Sequence, residues 1–390
     1  MTWHYRNTVL ILCTLALFVT MVSRLAISPI VPFITAEFSV SNTAIGVALT
    51  GMWLAYALTQ FPSGIVADRH GERLVILIAI GGTGIGSVLI AVAPTFGIFA
   101  FCVLLLGGAA GLHYSPATTL LSRTFDNVGT AVGVHNSGAP LAGLLTPIAV
   151  TWIGVRYGWR PALVLAAIVS VPVFVVFATR VRPTDPQRPD QPVRDRFRLA
   201  FVTELLFRPS VTFTLLIAVI TTFVWQGIAS FLPTFLVEYS RLSATISGAV
   251  FSAYFITQGV AQVGVGAVSD RYGSDVTIVG CLGLGILGLG LFVLRTDLVS
   301  IAMATLLVGV SLSVNAAVIP RFFEEFSEDE RGAGFGLVRT TYMVLASLGS
   351  VAVGFLADTF GWSISFGFMM GLFAVVIAGL VCNRILGVGY

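Results

Sequence analysis

Residues 64–73, Gly-Ile-Val-Ala-Asp-Arg-His-Gly-Glu-Arg, form a charged cluster between two long apolar runs. About two hundred residues later the chain repeats this pattern as Gly-Ala-Val-Ser-Asp-Arg-Tyr-Gly, residues 266–273. Each copy follows the second long apolar run of its half, which indicates an internal parallel repeat. With one offset of 202, the following residues correspond: Gly64, Asp68, Arg69 and Gly71 with Gly266, Asp270, Arg271 and Gly273.

Further landmarks keep an offset of 201 to 203, so the repeat extends over most of the chain. They are Pro32 and Glu37 with Pro233 and Glu238, Gly129 and Gly133 with Gly332 and Gly336, and Gly158-Trp159 with Gly361-Trp362.

The composition places the chain in a membrane. Hydrophobic residues make up 56% and charged residues 10% of its 390 residues, whereas soluble domains carry about 25% charged residues. The net charge of +3 is spread along the chain, so no nucleic-acid partner is expected. Its four cysteines stand singly in apolar runs, so neither a disulfide framework, a metal site nor a cofactor is expected.

Apolar segments of about twenty residues recur, and each is long enough to cross about 30 Å of hydrocarbon. They predict an all-α membrane protein with twelve transmembrane helices, six on each side of a proline- and arginine-rich break. The predicted cores are 8–34, 43–66, 74–93, 97–121, 130–153 and 161–179, then 211–237, 244–268, 276–294, 298–320, 333–357 and 363–385.

The pattern of residues 64–73 resembles the signature between the second and third helices of the major facilitator superfamily, Gly-x-Leu-Ala-Asp-Arg-x-Gly-Arg-Lys. Here Val66 replaces the leucine, Glu72 the first basic residue and Arg73 the lysine. The resemblance implies a prokaryotic twelve-helix member with two six-helix bundles related by a pseudo-twofold axis. It also implies a gating role for the repeated motif, made of Gly64, Asp68, Arg69, Gly71 and Arg73 with Gly266, Asp270, Arg271 and Gly273.

The predicted domains are an N-terminal bundle at 1–180, a cytoplasmic linker at 181–208 and a C-terminal bundle at 209–390. Residues 193–207 of the linker fit either a short amphipathic helix or plain linker. Arginines are concentrated in the segments that are cytoplasmic if the N-terminus is inside. The positive-inside rule therefore predicts a multi-pass protein of the cytoplasmic membrane, with both termini in the cytoplasm. The resemblance implies that Asp68 approaches residues 331–334 in one state of the transport cycle.

Arg24 and Arg339 fall within predicted spans, where a charged residue normally faces a cavity or a partner. Asp and Glu are absent from the interior of every predicted span, so an anionic solute is one candidate counter-charge. Bonding to backbone carbonyls, tyrosine hydroxyls or water is the alternative. At the repeat offset, Trp225 corresponds to Arg24 and Asn136 to Arg339, so the charges break the symmetry of the repeat.

Other polar residues at helical spacing are expected either to line the same space or to bond between helices. His113 and His135 are the only histidines within predicted spans; either could take up a coupling proton or serve in packing. The full set of candidate substrate contacts is Arg24, Arg339, Tyr56, Gln60, His113, Tyr114, Asn136, Trp225, Gln226, Tyr254, Gln258, Asn315 and Tyr342.

These observations, together with the resemblance, predict a monomeric secondary transporter in the lipid bilayer that moves a small organic anion, a carboxylate, by alternating access. An exporter of a drug-like or other non-anionic compound is the first alternative, although residues 103–108 lack the arginine that proton-linked drug exporters often carry there. A membrane sensor that binds a solute without moving it is the second. An enzyme is not expected, because the spans show no cluster of carboxylate, histidine and cysteine residues.

Overall fold

The computed structural model describes residues 5–186, 205–327 and 331–387, the side chains of residues 331–333 excepted. Residues 187–204, which include most of the predicted linker and residues 193–204 of its candidate amphipathic helix, lie outside the described part.

Within the described residues the chain is all helical and contains twelve helices long and apolar enough to cross a membrane, which confirms the predicted fold class. Numbered in chain order, spans 1 to 6 are Tyr5–Phe38, Asn42–His70, Glu72–Ala91, Phe96–Thr124, Val128–Tyr157 and Trp159–Arg180. Spans 7 to 12 are Pro209–Glu238, Ala244–Tyr272, Ser274–Leu294, Leu298–Glu325, Gly334–Phe360 and Trp362–Leu386.

Several spans are interrupted near the middle. Span 1 contains the helix Tyr5–Leu25, the 3-10 turn Ser28–Ile30 and the helix Val31–Phe38. Pro29 and Pro32 lie at this break, and neither can donate a backbone N–H to the preceding turn. The other described breaks divide span 4 into Phe96–Gly111 and Tyr114–Thr124, span 5 into Val128–Asn136 and Gly138–Tyr157, span 10 into Leu298–Ser311 and Asn315–Glu325, and span 11 into Arg331–Ala346 and Gly349–Phe360.

The chain divides into two compact units. One contains residues 1–40 and 47–197, the other residues 41–46 and 198–390. In the first unit, span 3 packs on spans 4 and 6, and span 1 packs on spans 5 and 6. In the second, span 9 packs on spans 10 and 12, and span 7 packs on spans 11 and 12. The same packing pattern therefore recurs six spans later, as an internal repeat requires.

Four glycines of the repeat separate consecutive helices. Gly71 and Gly273 have φ of +88° and +89°, and Gly158 and Gly361 have φ of +89° and +86°. This backbone region is open to glycine at little cost and disfavours residues with a Cβ atom. At Gly71 there is a second requirement, because a Cβ atom would lie 2.3 Å from the backbone oxygen of Thr184.

A glutamate–tryptophan hydrogen bond also occurs once in each unit. The indole of Trp159 donates to Glu37 at 2.5 Å, and the indole of Trp362 donates to Glu238 at 3.0 Å. Arg160 adds an ion pair to Glu37 in the first unit. The repeated sequence landmarks thus contact one another in the fold, where each pair joins the end of one span to the start of another.

Candidate functional site

Arg24 lies in the last turn of the first helix of span 1, and only 3% of its surface is exposed. Its Nε donates to the carbonyl of Thr20 at 3.2 Å, and its guanidinium carbon lies 4.1 Å from the ring centre of Tyr56 and 5.4 Å from that of Trp53. The C-terminal end of a helix favours a cation, and a desolvated cation–π contact contributes about 2 kcal/mol. Span 2 therefore supplies two aromatic rings that stabilise the buried charge of Arg24.

A pair of histidines lies in the same unit as this arginine. His113 follows the first helix of span 4, His135 is in span 5, and their ring centres are 5.3 Å apart. The ring centres of Tyr114 and His135 are 6.0 Å apart. The structure thus brings Arg24 against Tyr56, and His135 against His113 and Tyr114, all in the first unit.

Close packing of spans 2 and 4 positions these groups. A Cβ atom on Gly107 would lie 2.1 Å from the carbonyl oxygen of Met52, and one on Gly111 would lie 2.3 Å from that of Tyr56. Only glycine permits such an approach of two helices. Because Gly111 ends the helix Phe96–Gly111, the contact fixes the break that precedes His113 beside the aromatic residues of span 2.

The remaining predicted residues of the first unit differ in environment. Gln60 is buried, and its backbone carbonyl accepts a hydrogen bond from the hydroxyl of Ser63. Asn136 ends the helix Val128–Asn136 and is exposed. Trp53 lies beside Arg24 and His135 lies beside His113, and neither is in the predicted set of substrate contacts.

The second unit holds a different polar group. The indole of Trp225 donates to Gln258 at 3.3 Å, and the Gln258 amide donates to the carbonyl of Leu312 at 2.8 Å. Gln226 and Tyr254 are buried, and within the described residues the amide of Gln226 and the hydroxyl of Tyr254 have no hydrogen-bond partner.

Asn315 begins the second helix of span 10, and Arg339 and Tyr342 lie in the helix Arg331–Ala346. Tyr342 is buried, while Asn315 and Arg339 are partly buried. The predicted contacts of this unit are therefore neutral hydrogen-bonding residues together with Arg339.

The repeated charged motif is helical, not a loop. Span 2 runs to His70, so Asp68 and Arg69 lie in its last turn, and Gly71 alone separates it from span 3. In the second copy Asp270 and Arg271 end span 8 before Gly273. The expected approach of Asp68 to residues 331–334 stays a prediction, and the side chains of residues 331–333 lie outside the described part.

An ion pair stands beside each copy of the motif, and the sequence did not reveal either one. Glu72, in the first turn of span 3, pairs with Arg123 at 2.8 Å. Asp275, in the first turn of span 9, pairs with Arg321, whose Nε also donates to Thr214 at 2.9 Å. Arg73 donates to the carbonyl of Ala178 at 2.5 Å. The charged residues that follow each copy of the motif thus form ion pairs or hydrogen bonds with residues of their own unit.

Comparison with known proteins decides the family. Residues 13–252 and 214–383 match the model of the Major Facilitator Superfamily. The chain belongs to this superfamily. The crystal structure of the nucleoside transporter NupG has the same fold, with a TM-score of 0.80 at 15% identity, covering 97% of this chain and 99% of that one.

Three curated relatives of this superfamily member are informative. The hexuronate transporter of Bacillus subtilis is 24% identical over 67% of this chain and 64% of its own length. The membrane sensor protein UhpC of Escherichia coli is 25% identical over 46% of this chain and 41% of its own. The probable sulfoacetate transporter SauU of Cupriavidus necator is 27% identical over 44% of this chain and 41% of its own. Each alignment thus covers less than two thirds of the relative.

Proposed function

We propose that this superfamily member is a secondary transporter of the cytoplasmic membrane, with both termini in the cytoplasm, and that it moves a small organic anion by alternating access. The observation that supports this most is the position of Arg24: a guanidinium in mid-span, 3% exposed, seated against two aromatic rings. Arginine stays charged when buried, so the membrane interior holds a permanent positive charge at this point.

The chemistry of the guanidinium favours a carboxylate or a similar planar anion. Its N–H groups form a fork that donates two parallel hydrogen bonds to a carboxylate, and such charge-assisted bonds are about twice as strong as neutral ones. A buried charge loses its hydration, and a bound anion compensates that loss. The rings of Tyr56 and Trp53 lie against the guanidinium, its Nε donates to the backbone carbonyl of Thr20, and a terminal nitrogen lies 3.2 Å from the sulfur of Met21.

Arg339 is the second proposed contact for the anion. It lies in the helix Arg331–Ala346 of the second unit and is partly buried. The neutral residues Trp225 and Gln258 of the same unit would bond the uncharged part of the solute.

The names of the relatives support an anionic solute. Hexuronate and sulfoacetate are both small organic anions, and both name the solutes of proteins to which this chain is similar. A sensor is the second candidate function, favoured by the similarity to UhpC. The two functions differ in one observable, because a sensor binds the solute without moving it across the bilayer.

Counterflow in proteoliposomes tests the proposal. Vesicles containing the purified protein are loaded with unlabelled D-glucuronate or sulfoacetate, and entry of the labelled acid is measured. We expect counterflow with wild type and little with Arg24→Gln or Arg339→Gln. Arg156→Gln is the matched control, because Arg156 also lies over an aromatic ring, Trp152, at 4.6 Å but is exposed. Binding without counterflow would favour the sensor, and counterflow unaffected by Arg24→Gln would refute the role of Arg24.

A further inference from the structure

A groove between spans 1 and 6 of the first unit takes no part in the proposed anion site. Its volume is about 360 Å³. One end lies where span 1 begins and span 6 ends, and is polar; the rest is apolar. The polar lining residues are Thr8 and Arg180, and the apolar ones are Ile11, Leu12, Leu15 and Val176.

The length and polarity of the groove match an acyl chain. Its four span 1 residues lie three or four positions apart, so they form one stripe along the helix. From Thr8 to Leu15 the stripe is about 10 Å long, which is a third of the roughly 30 Å of hydrocarbon in a bilayer. Ile11 and Val176 are 44% and 43% exposed, so the groove is open at the surface of the unit. An open apolar stripe of this kind suits a lipid tail and does not suit a polar solute.

The basic group at the polar end is Arg180. Its side chain is exposed, and within the described residues it forms no ion pair with a carboxylate. By contrast, Arg6 at the start of span 1 pairs with Asp126, and Arg123 at the end of span 4 pairs with Glu72. The groove therefore ends in a positive charge that the described residues do not compensate, and this charge complements an anionic head group.

The position of Arg180 is fixed by contacts on either side of it. Two residues earlier, the carbonyl of Ala178 accepts a hydrogen bond from Arg73 at 2.5 Å. Two residues later, the backbone N–H of Arg182 donates to the hydroxyl of Tyr5 at 3.0 Å, and the Arg182 guanidinium lies 4.7 Å from the centre of the same ring. The end of span 6 is thus held against the start of span 1, so the backbone of Arg180 is preorganised beside the groove.

We propose that the groove between spans 1 and 6 binds one anionic phospholipid, with an acyl chain along the apolar stripe and the phosphate on Arg180. With the orientation proposed above, this lipid belongs to the cytoplasmic leaflet; its chemistry does not depend on the transported solute. Lipid tails are as apolar as leucine, so an acyl chain gains little by moving from the bilayer into the groove. Selectivity must therefore come from the head group, and one basic residue at the membrane surface favours an anionic lipid by about fivefold.

Photo-crosslinking of the full chain in nanodiscs tests this inference. Phosphatidylcholine nanodiscs carry a trace of either phosphatidylglycerol or phosphatidylcholine with a diazirine on one acyl chain, and mass spectrometry locates the labelled peptides. In wild type, residues 8–15 and 176–180 should be labelled about fivefold more by phosphatidylglycerol than by phosphatidylcholine. Arg180→Gln should bring this ratio to about one. Arg384→Gln is the matched control, because Arg384 is also exposed in the last turn of a span but does not line the groove.

A second pair of variants tests the groove itself. Ile11→Trp fills it without changing a charge and should remove most of the labelling of residues 176–180 by phosphatidylglycerol. Ile168→Trp should not, because Ile168 is 62% exposed in span 6 but lies outside the groove.

Equal labelling of the groove by the two lipids in wild type would overturn the inference. A ratio that Arg180→Gln leaves unchanged, or labelling that Ile11→Trp does not reduce, would also overturn it. The wild-type comparison decides the matter even where a variant does not fold. None of these outcomes bears on the transported anion, which the counterflow measurement tests separately.

Discussion

Replacing members of the two motif-adjacent ion pairs should have opposite consequences in the two repeats. In the first pair the side chain of Glu72 is 0% exposed and that of Arg123 is 40% exposed. In the second the order is reversed, with Arg321 at 7% and Asp275 at 40%. Removing the exposed member leaves the buried ion without that counter-charge, which is costly. Removing the buried member leaves an ion that water can solvate, which costs less.

The magnitudes follow from these exposures. Removing one partner of a fully buried pair costs about 3–5 kcal/mol. Because one member of each pair is partly solvated, we expect about 2–3 kcal/mol for Arg123→Gln and for Asp275→Asn. Glu72→Gln should cost about 1 kcal/mol or less. Arg321→Met should cost about 1–2 kcal/mol, since it also loses the hydrogen bond to Thr214.

Unfolding in mixed micelles of dodecyl sulfate, followed by helical circular dichroism, gives the free energy of unfolding of each variant. In the first pair, Arg123→Gln should be less stable than Glu72→Gln. In the second, Asp275→Asn should be less stable than Arg321→Met. The double variant Asp275→Asn/Arg321→Met should be no less stable than Asp275→Asn. If the arginine variant is the less stable one in both pairs, burial does not control the cost and the reasoning is wrong.

Two further predictions concern single positions. Gly107→Ala should lower the melting temperature sharply, because its Cβ atom would lie 2.1 Å from the carbonyl oxygen of Met52. Gly108→Ala should hardly change it, because its Cβ atom would meet only a methyl carbon at 3.8 Å. Equal melting temperatures of the two variants would contradict this. The backbone N–H and the hydroxyl of Ser300 hold the pKa of Asp297 below its ordinary value. The stabilisation by Asp297 should therefore be present at neutral pH and be lost as pH falls through that lowered pKa, and Asp297→Asn should remove this pH dependence from the thermal unfolding midpoint.

The fold could be predicted because the repeated residues are those that its geometry requires. Glu37 and Glu238 keep their offset from Trp159 and Trp362 because each glutamate bonds to its tryptophan. Glycines such as Gly71 recur because each unit places a positive φ between the same two helices. Apolar runs of about twenty residues supplied the remaining elements.

The breaks within spans could not be predicted from span length. Pro29, Pro32 and Gly111 were visible in the sequence, but the apolar runs continue through them without a change in hydropathy. In the fold, Gly111 ends the first helix of span 4 and packs against the backbone of Tyr56.

The candidate site was predicted only in part, because contacts between spans depend on how each helix is rotated about its axis. The sequence identified Arg24 as a buried cation, but it could not place His135 against His113, since the two lie on different spans. Tyr254 and Gln258 of the predicted set are four residues apart in span 8, and Gln262 follows at the same spacing, so all three share one helix face. Their environments nevertheless run from fully buried at Tyr254 to exposed at Gln262.

The central claim is that Arg24 recognises the negative charge of the solute. The most direct measurement is the affinity of the purified protein for D-glucuronate and for its neutral amide, in wild type and in Arg24→Gln. A charge-assisted hydrogen-bonded pair contributes about 1.5–3 kcal/mol, so wild type should prefer the acid over the amide by at least tenfold. The preference should fall in Arg24→Gln. An equal preference for the acid in both proteins, or wild type that binds the amide as tightly as the acid, would contradict the account.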